Sequence, residues 1–170
     1  ALLLVSSLSA QKNNKPIDCL TKDMKLTEGV INAYTNNNKI YFEVNNDLLN
    51  IEMLVVTRLA QIPSGYSAYI NAGSKTSEQV IEFEKKNNKI NIRQLSFNNI
   101  ANQEDPINQS VTENNFPPIL ASFEIKNKET DSFLIDVSNY FLSDSPGFNI
   151  INSRIKEQYK IGNVDKKRSS

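Results

Sequence analysis

The sequence predicts a mainly β protein, an antiparallel sheet or sandwich-like domain of about seven strands built from hairpins, with short helical turns. Through the middle of the chain, apolar and polar residues alternate with a period of two, which is typical of half-buried strands. Asn-rich segments separate these runs, and 24 of the 170 residues are Asn, a residue type that favours turns. No segment shows the apolar spacing of a long amphipathic helix.

The first hairpin is predicted from residues 31–34 and 39–44, which flank an Asn-rich turn. Ile40, Phe42 and Val44 share one face of its second strand. Residues 46–50 then predict one helical turn capped by Asn46 or Asp47.

Residues 51–60 predict the next strand. They are apolar at every position from 53 to 56, which indicates a central strand covered on both faces.

A second hairpin is predicted from residues 79–84 and 89–97. Ile90 and Ile92 share a parity that Leu95 and Phe97 break, which predicts a bulge near Arg93 and Gln94.

A third hairpin is predicted from residues 119–125 and 132–137. One face of each strand is apolar, comprising Ile119, Ala121, Phe123 and Ile125 in the first and Phe133, Ile135 and Val137 in the second. Residues 138–142 predict a short helix capped by Ser138. Long connections are expected at 63–77 and at 98–118, the latter with a helical turn near 107–112.

The N-terminal residues indicate export from the cytoplasm. Residues 1–10 are mostly apolar, and Ser7 and Ser9 are small residues at the spacing of a cleavage site, so the segment is interpreted as the remnant of a signal peptide. We therefore expect a secreted, periplasmic or cell-envelope protein. The apolar run is too short to span a bilayer. Residues 11–28 are interpreted as a leader or linker, 29–50 as a small hairpin segment and 51–170 as a C-terminally truncated β domain.

Composition excludes several kinds of site. The chain has no His and one Cys, which removes Ser-His-Asp and Cys-His catalysis, His-ligated metal sites and a disulfide within the chain. The 19 basic and 19 acidic residues balance, which argues against general nucleic-acid binding. The phosphate-loop, dinucleotide, nucleophile-elbow and HExxH motifs are absent from the sequence. Cys19 is interpreted as a lone thiol without a role.

The acidic residues offer few candidates for catalysis. Glu82 and Glu84 share one strand face, where a carboxylate pair could hydrolyse glycosides, but a polar outer face also explains them and is favoured. Asp136 lies between apolar neighbours, and an ion pair with Arg58 or Arg93 that sets the sheet register is favoured over a catalytic acid.

Three further segments have a weak functional signal. Residues 103–106 bear carboxylates and allow at most weak calcium binding. Tyr66 and Tyr69 lie in a long loop, where aromatic side chains either stack on sugars, anchor a partner or fold back onto the domain. The basic cluster 166–168 is interpreted as a solvated linker.

Seven stretches of the chain resemble, in the same order, the N-terminal region of a family of large secreted bacterial zinc-dependent metalloproteases. That region is described in the family as two consecutive domains of unknown function ahead of the catalytic domain. The resembling stretches are GVINAY with KIYFEV at 29–44, DLLNIEMLVVTR at 47–58, EQVIEFE at 78–84, RQLSF at 93–97, FPPILASF at 116–123, DSFLIDV at 131–137 and VDKKRS at 164–169.

The resemblance implies that activity resides in a downstream helix with an HExxHxxGxxH motif, whose His residues bind zinc and whose Glu is the general base. No catalytic, cofactor or metal residue is assigned within residues 1–170. The expected function is therefore a non-catalytic N-terminal region that acts as a scaffold, as part of the substrate cleft or as a pro-region. Its expected partners are the downstream catalytic domain and a peptide or protein substrate, without nucleic acid or a membrane span.

Other functions remain open from the sequence. A secreted binding module for glycan or protein would use the loop of Tyr66 and Tyr69. A complete carboxylate hydrolase would use an acid pair within the chain. A latent zymogen would use Cys19 as a zinc ligand.

Overall fold

The computed structural model describes residues 15–60, 71–96, 105–106, 116–127, 129–143, 145 and 153–160. Their strands are, in chain order, β1 Lys25–Thr27, β2 Asn32–Asn36, β3 Lys39–Asn45, β4 Met53–Arg58, β5 Lys75–Lys86, β6 Lys89–Leu95, β7 Ile119–Glu124 and β8 Ser132–Asp136. The helices are short, namely α1 Ile17–Thr21, a 3-10 turn Asn46–Leu48, α2 Ser138–Phe141 and α3 Ser153–Tyr159. The predicted mainly β class is confirmed.

The strands form two antiparallel four-stranded sheets. The first sheet has the order β1-β2-β3-β8, and the second has the order β4-β5-β6-β7. Most neighbours in a sheet are also neighbours in the sequence, as is usual for antiparallel folds. β8 is the exception, because it pairs with β3 and so places residues 132–136 beside residues 41–45.

One apolar core lies between the two sheets. Val44 and Ile135 of the first sheet and Phe83 and Ile92 of the second are almost completely buried and belong to one packed cluster. Burying a side chain of this size contributes about 1.5–3 kcal/mol relative to leaving it exposed. The inner faces of the sheets therefore pack against each other in the manner of a sandwich.

The two predicted Asn-rich hairpins form. Asn36 pairs with Lys39 at the end of β2 and β3, and Lys86 pairs with Lys89 at the end of β5 and β6, so each loop contains two residues. In the second loop Asn87 has a φ of 55°, a left-handed conformation that Asn tolerates better than most residues. The predicted inward face of β3 is also confirmed by its contacts with the core.

The third predicted hairpin opens into two sheets. Ile125 and Ile135 form an isolated antiparallel bridge, and the Lys126 N–H donates to the Leu134 carbonyl at 2.9 Å. Beyond this junction the strands separate, because β7 pairs with β6 and β8 pairs with β3. The hairpin interpretation is correct only at the turn end, which is also the place where one sheet passes into the other.

β4 is an edge strand, and the prediction of a central strand covered on both faces is wrong. Among the described strands, β4 is bonded to β5 alone. Met53 and Val55 pack against the core, whereas Leu54 is 64% exposed and Val56 is 39% exposed. The continuous apolar run reflects an apolar outer face and not a second covering layer.

The predicted bulge exists, but it lies on the neighbouring strand. The β5–β6 register is regular through Arg93 and Gln94, whereas the β6–β7 register shifts between Ile92 and Arg93. Leu120 is the extra residue on β7 and packs against the core. Ile119 is consequently 49% exposed, so its predicted place on the inward face is wrong.

Residues 11–28, predicted as a leader or linker, contain α1 and β1. Lys25 of β1 pairs with Thr35 of β2. Ile17 is buried, and its backbone N–H donates to Glu129 Oε1 at 3.1 Å. This part of the chain is thereby attached to the first sheet, and the predicted signal remnant 1–10 lies outside the described residues.

The helical turns predicted at 46–50 and 138–142 form without the predicted side-chain caps, and the turn expected near 107–112 lies outside the described residues. Asn45 is the N-cap of the 3-10 turn and Val137 is the N-cap of α2, and neither cap makes a side-chain hydrogen bond. The Ser138 hydroxyl instead bonds Asp136 Oδ1. Within the described residues, no helix combines the length and apolar content of a membrane span.

Candidate functional site

The outer face of the second sheet carries a cluster of interacting polar groups. In the β5–β6 register Glu82 lies opposite Arg93 and Glu84 lies opposite Asn91. Ile81 and Phe83 alternate with the two glutamates and are buried in the core. Glu82 and Glu84 therefore lie on the face turned away from the core, as predicted.

Arg93 is the centre of this cluster. Its side chain is 8% exposed, and its Nη2 lies 3.0 Å from Glu84 Oε2. Nη1 donates to the Pro117 carbonyl at 2.7 Å, and the ring of Phe116 lies over the guanidinium with its centroid 4.9 Å away. A guanidinium held on two sides and stacked on its face is fixed in position.

Glu84 is held as a carboxylate. Hydrogen bonds from Asn91 and then from Arg93 lower its pKa below the ordinary value, against a smaller opposing effect of burial. Asn91 Nδ2 donates to Glu84 Oε2 at 2.9 Å. A general acid needs a raised pKa, so this carboxylate is suited to fixing its neighbours and not to proton transfer.

A polar cavity adjoins the cluster at the loop end of β5 and β6. It has a volume of about 310 Å³. The residues that line it are Lys86, Asn87, Asn88, Lys89, Asn91 and Glu124. Asn91 thus belongs both to the cavity wall and to the network around Arg93.

The opposite end of the same outer face is apolar. The register places Leu54 opposite Val80 and Val80 opposite Leu95, so these side chains form a row across three strands. Val56 lies on the same face of β4. We call Leu54, Val56, Val80 and Leu95 the apolar strip.

The outer face of the first sheet carries a second polar cluster. Glu43 accepts hydrogen bonds from Asn32 Nδ2 at 3.2 Å, from the Tyr34 hydroxyl at 2.9 Å and from the Ser132 hydroxyl at 3.0 Å. The donors come from β2 and β8, on either side of Glu43 in β3. One carboxylate therefore connects three strands.

Tyr34 is correspondingly hard to ionise. Burial, the hydrogen bond to Glu43 and the charges of Glu43, Asp18 and Glu28 together raise its pKa to about 12, with burial the largest cause. A phenol kept protonated beside a carboxylate donates a stable hydrogen bond, and it is a poor nucleophile or base.

The predicted ion pair of Asp136 is wrong. Asp136 Oδ1 accepts from the Ser138 backbone N–H at 3.0 Å and from the Ser138 hydroxyl. Arg58 Nη1 donates to the Gly73 carbonyl, and Arg93 bonds Glu84. A local turn partner two residues away satisfies the carboxylate, which does not require a charge on another strand.

The other predicted candidates are either exposed or outside the described residues. Cys19 is exposed in α1. Tyr66 and Tyr69, and the basic cluster 166–168, lie outside the described residues, as do 103 and 104 of the predicted calcium loop. Among the residues that the structure does describe, no three Cys, Asp or Glu side chains are grouped to hold a metal ion.

Sequence reasoning missed the Glu43 cluster and the cavity. The β2–β3 register places Asn32 opposite Glu43 and Tyr34 opposite Tyr41. Strand parity alone could therefore have predicted that Asn32, Tyr34 and Glu43 share one face. Ser132 joins through a pairing with a distant strand, which no local pattern indicates.

Comparison with protein families gives two consecutive matches. A family described as domain of unknown function (DUF5118) matches residues 14–62, and one described as domain of unknown function (DUF5117) matches residues 73–170. No curated protein and no solved structure matches the chain.

Proposed function

The chain belongs to the family described as domain of unknown function DUF5117, preceded by a DUF5118 segment, and we propose that it is the non-catalytic N-terminal region of a secreted zinc-dependent metalloprotease. The observation that carries this proposal is the set of resembling stretches in the order of that protease family. The sequence contains no His, so the zinc ligands of such an enzyme would lie outside residues 1–170.

The resembling stretches coincide with structural elements. DLLNIEMLVVTR at 47–58 contains most of the 3-10 turn and all of β4, and FPPILASF at 116–123 contains most of β7. These are the two edge strands of the second sheet. The two stretches also provide exposed apolar side chains, including Leu54, Ile119 and Phe116.

Within the proposed enzyme this region acts as a scaffold for the catalytic domain. Large exposed apolar patches on soluble proteins commonly mark contact surfaces. The apolar strip includes the exposed side chains of Leu54 and Val56, and the catalytic domain of the same polypeptide is the proposed partner. A substrate-cleft role or a pro-region role would use the same contact with a different effect on activity.

The complete gene product tests the proposed enzyme. We expect an HExxH motif beyond residue 170, bound zinc and peptide hydrolysis that a chelator abolishes. Replacing the Glu of that motif by Gln is the control that should abolish hydrolysis and retain zinc. An open reading frame without the motif, or a product free of zinc, would contradict the proposal.

Charged substitutions in the apolar strip test the scaffold role. Leu54→Asp combined with Val56→Asp should lower hydrolysis by the complete product and increase amide exchange in β4, because charged groups cannot be buried at a domain contact without large cost. Val30→Asp is the matched control, since Val30 is 72% exposed and lies outside the strip. Unchanged hydrolysis would exclude the contact, and increased hydrolysis would indicate an inhibitory pro-region.

A further inference from the structure

The polar cavity between the β5–β6 loop and β7 has the chemistry of a binding site that is separate from the apolar strip. Its volume of about 310 Å³ is at the lower end of the range for small-molecule sites. About ten water molecules would fill a space of this size. That is room for one sugar ring with its substituents.

The side chains of the cavity wall select a polar ligand. The six lining residues are two lysines, three asparagines and one glutamate, without an aliphatic or aromatic member. An Asn side chain presents a donor and an acceptor next to each other, which matches the adjacent hydroxyl groups of a sugar.

The charges of the wall select an anion. Lys86 and Lys89 contribute two ammonium groups. Glu124 contributes one carboxylate, and Lys126 Nζ lies 3.8 Å from its Oε2. The excess of positive charge favours a ligand with a carboxylate or a similar anionic group.

The inner wall of the cavity is held in place before any ligand arrives. Asn91 is 4% exposed, and its Nδ2 donates to Glu84, which Arg93 in turn holds. A binding group that is already ordered loses little conformational entropy on association. Asn87, in the adjoining loop, has a left-handed backbone with a φ of 55°.

We propose that this cavity binds an anionic sugar residue of the hexuronate type. Lys86 and Lys89 bind its carboxylate, and Asn91 with the loop amides binds its hydroxyl groups. The site does not depend on the proposed protease, because all of its lining residues lie in the second sheet and its loop.

Titration of the 170-residue chain with glucuronate, followed by amide chemical shifts, tests the site. We expect saturable shifts of the Asn91 side-chain amide and weaker binding as salt is added. Lys86→Gln and Lys89→Gln should each weaken binding by up to about fivefold, and the double variant by about twentyfold. Lys25→Gln in β1 is the matched control and should leave binding unchanged.

The ligand series tests the sugar assignment. Glucose should bind at least about tenfold more weakly than glucuronate because it lacks the charge. Two anions without ring hydroxyls should also bind more weakly than glucuronate. They are sulfate and N-acetyl-aspartate amide, which is an analogue of an acidic peptide. If sulfate or N-acetyl-aspartate amide binds as tightly as glucuronate, the sugar assignment is wrong. If the double lysine variant still binds glucuronate with unchanged affinity, the location of the site is wrong.

Discussion

Arg93 pairs diagonally with Glu84, although Glu82 is the residue directly opposite it in the β5–β6 register. In this diagonal arrangement Glu84 Oε2 accepts a hydrogen bond from Asn91, and Arg93 Nη2 contacts both oxygens of the carboxylate. The arrangement also directs Nη1 to the Pro117 carbonyl, at the entrance to β7. One side chain thus connects β5 and β6 to the segment that leads into β7.

Loss of Arg93 should destabilise the protein. Arg93→Met retains the apolar stem but removes the donor of the Pro117 carbonyl and leaves the Glu84 carboxylate with Asn91 and without its cationic partner. We expect a loss of about 2 kcal/mol in the free energy of unfolding by urea denaturation. Lys126→Met is the control, because Lys126 and Glu124 are both almost half exposed and such pairs contribute at most about 1 kcal/mol. Equal losses in the two variants would contradict the importance of the network.

The lowered pKa of Glu84 predicts a stability loss in acid. A carboxyl whose pKa is lower in the folded state adds stability above its unfolded pKa, and the contribution disappears as the pH falls through the folded pKa. The free energy of unfolding should therefore decrease as the pH falls below 4.5, which is the ordinary pKa of a glutamate carboxyl. Glu84→Gln should be less stable than the parent at pH 7, and the difference should shrink by pH 3. A difference independent of pH would exclude this linkage.

Tyr34 should titrate well above an ordinary tyrosine. Its pKa of about 12 exceeds the ordinary 10.0, so its contribution to stability is present below pH 10 and is lost as the pH rises towards 12. Glu43→Gln removes the neighbouring charge and should lower this pKa. The tyrosinate absorbance can be assigned by difference from Tyr34→Phe. Glu52→Gln is an exposed control, and an equal shift in that variant would argue against a specific effect of Glu43.

The junction between the sheets should depend on Asn127. This residue is 2% exposed, its Nδ2 donates to the Ser132 carbonyl at 2.8 Å, and its Oδ1 accepts from the Leu134 N–H at 2.8 Å. Asn127→Ala leaves two backbone groups without this partner and should cost about 2–3 kcal/mol in thermal or urea unfolding. Asn139→Ala, at an exposed position of α2, should change stability by less than about 0.5 kcal/mol.

The local parts of the fold could be predicted from the sequence. Alternation of apolar residues located the β2–β3 and β5–β6 hairpins and placed Ile40, Phe42 and Val44 on one strand face, which the structure packs against the core. Such patterns depend on neighbours a few residues apart, so they report strand faces and turns well. They also placed Glu82 and Glu84 on an outer face.

The non-local parts could not be predicted in this way. A run of apolar residues looks the same whether a second layer covers it or not, which is why β4 was expected at the centre of a sheet. The partner of Arg93 depends on a diagonal contact, and the partner of Glu43 on β8 is 89 residues away. No spacing along the chain encodes either relationship.

The pairing of β3 with β8 has a consequence for how the protein acquires its structure during synthesis. The DUF5118 segment, which contains β1 to β4, leaves the ribosome long before β8. Until then, β3 exposes a strand edge that can join another chain. High contact order of this kind slows folding, so nascent chains would need protection from aggregation until the DUF5117 segment supplies the missing strand.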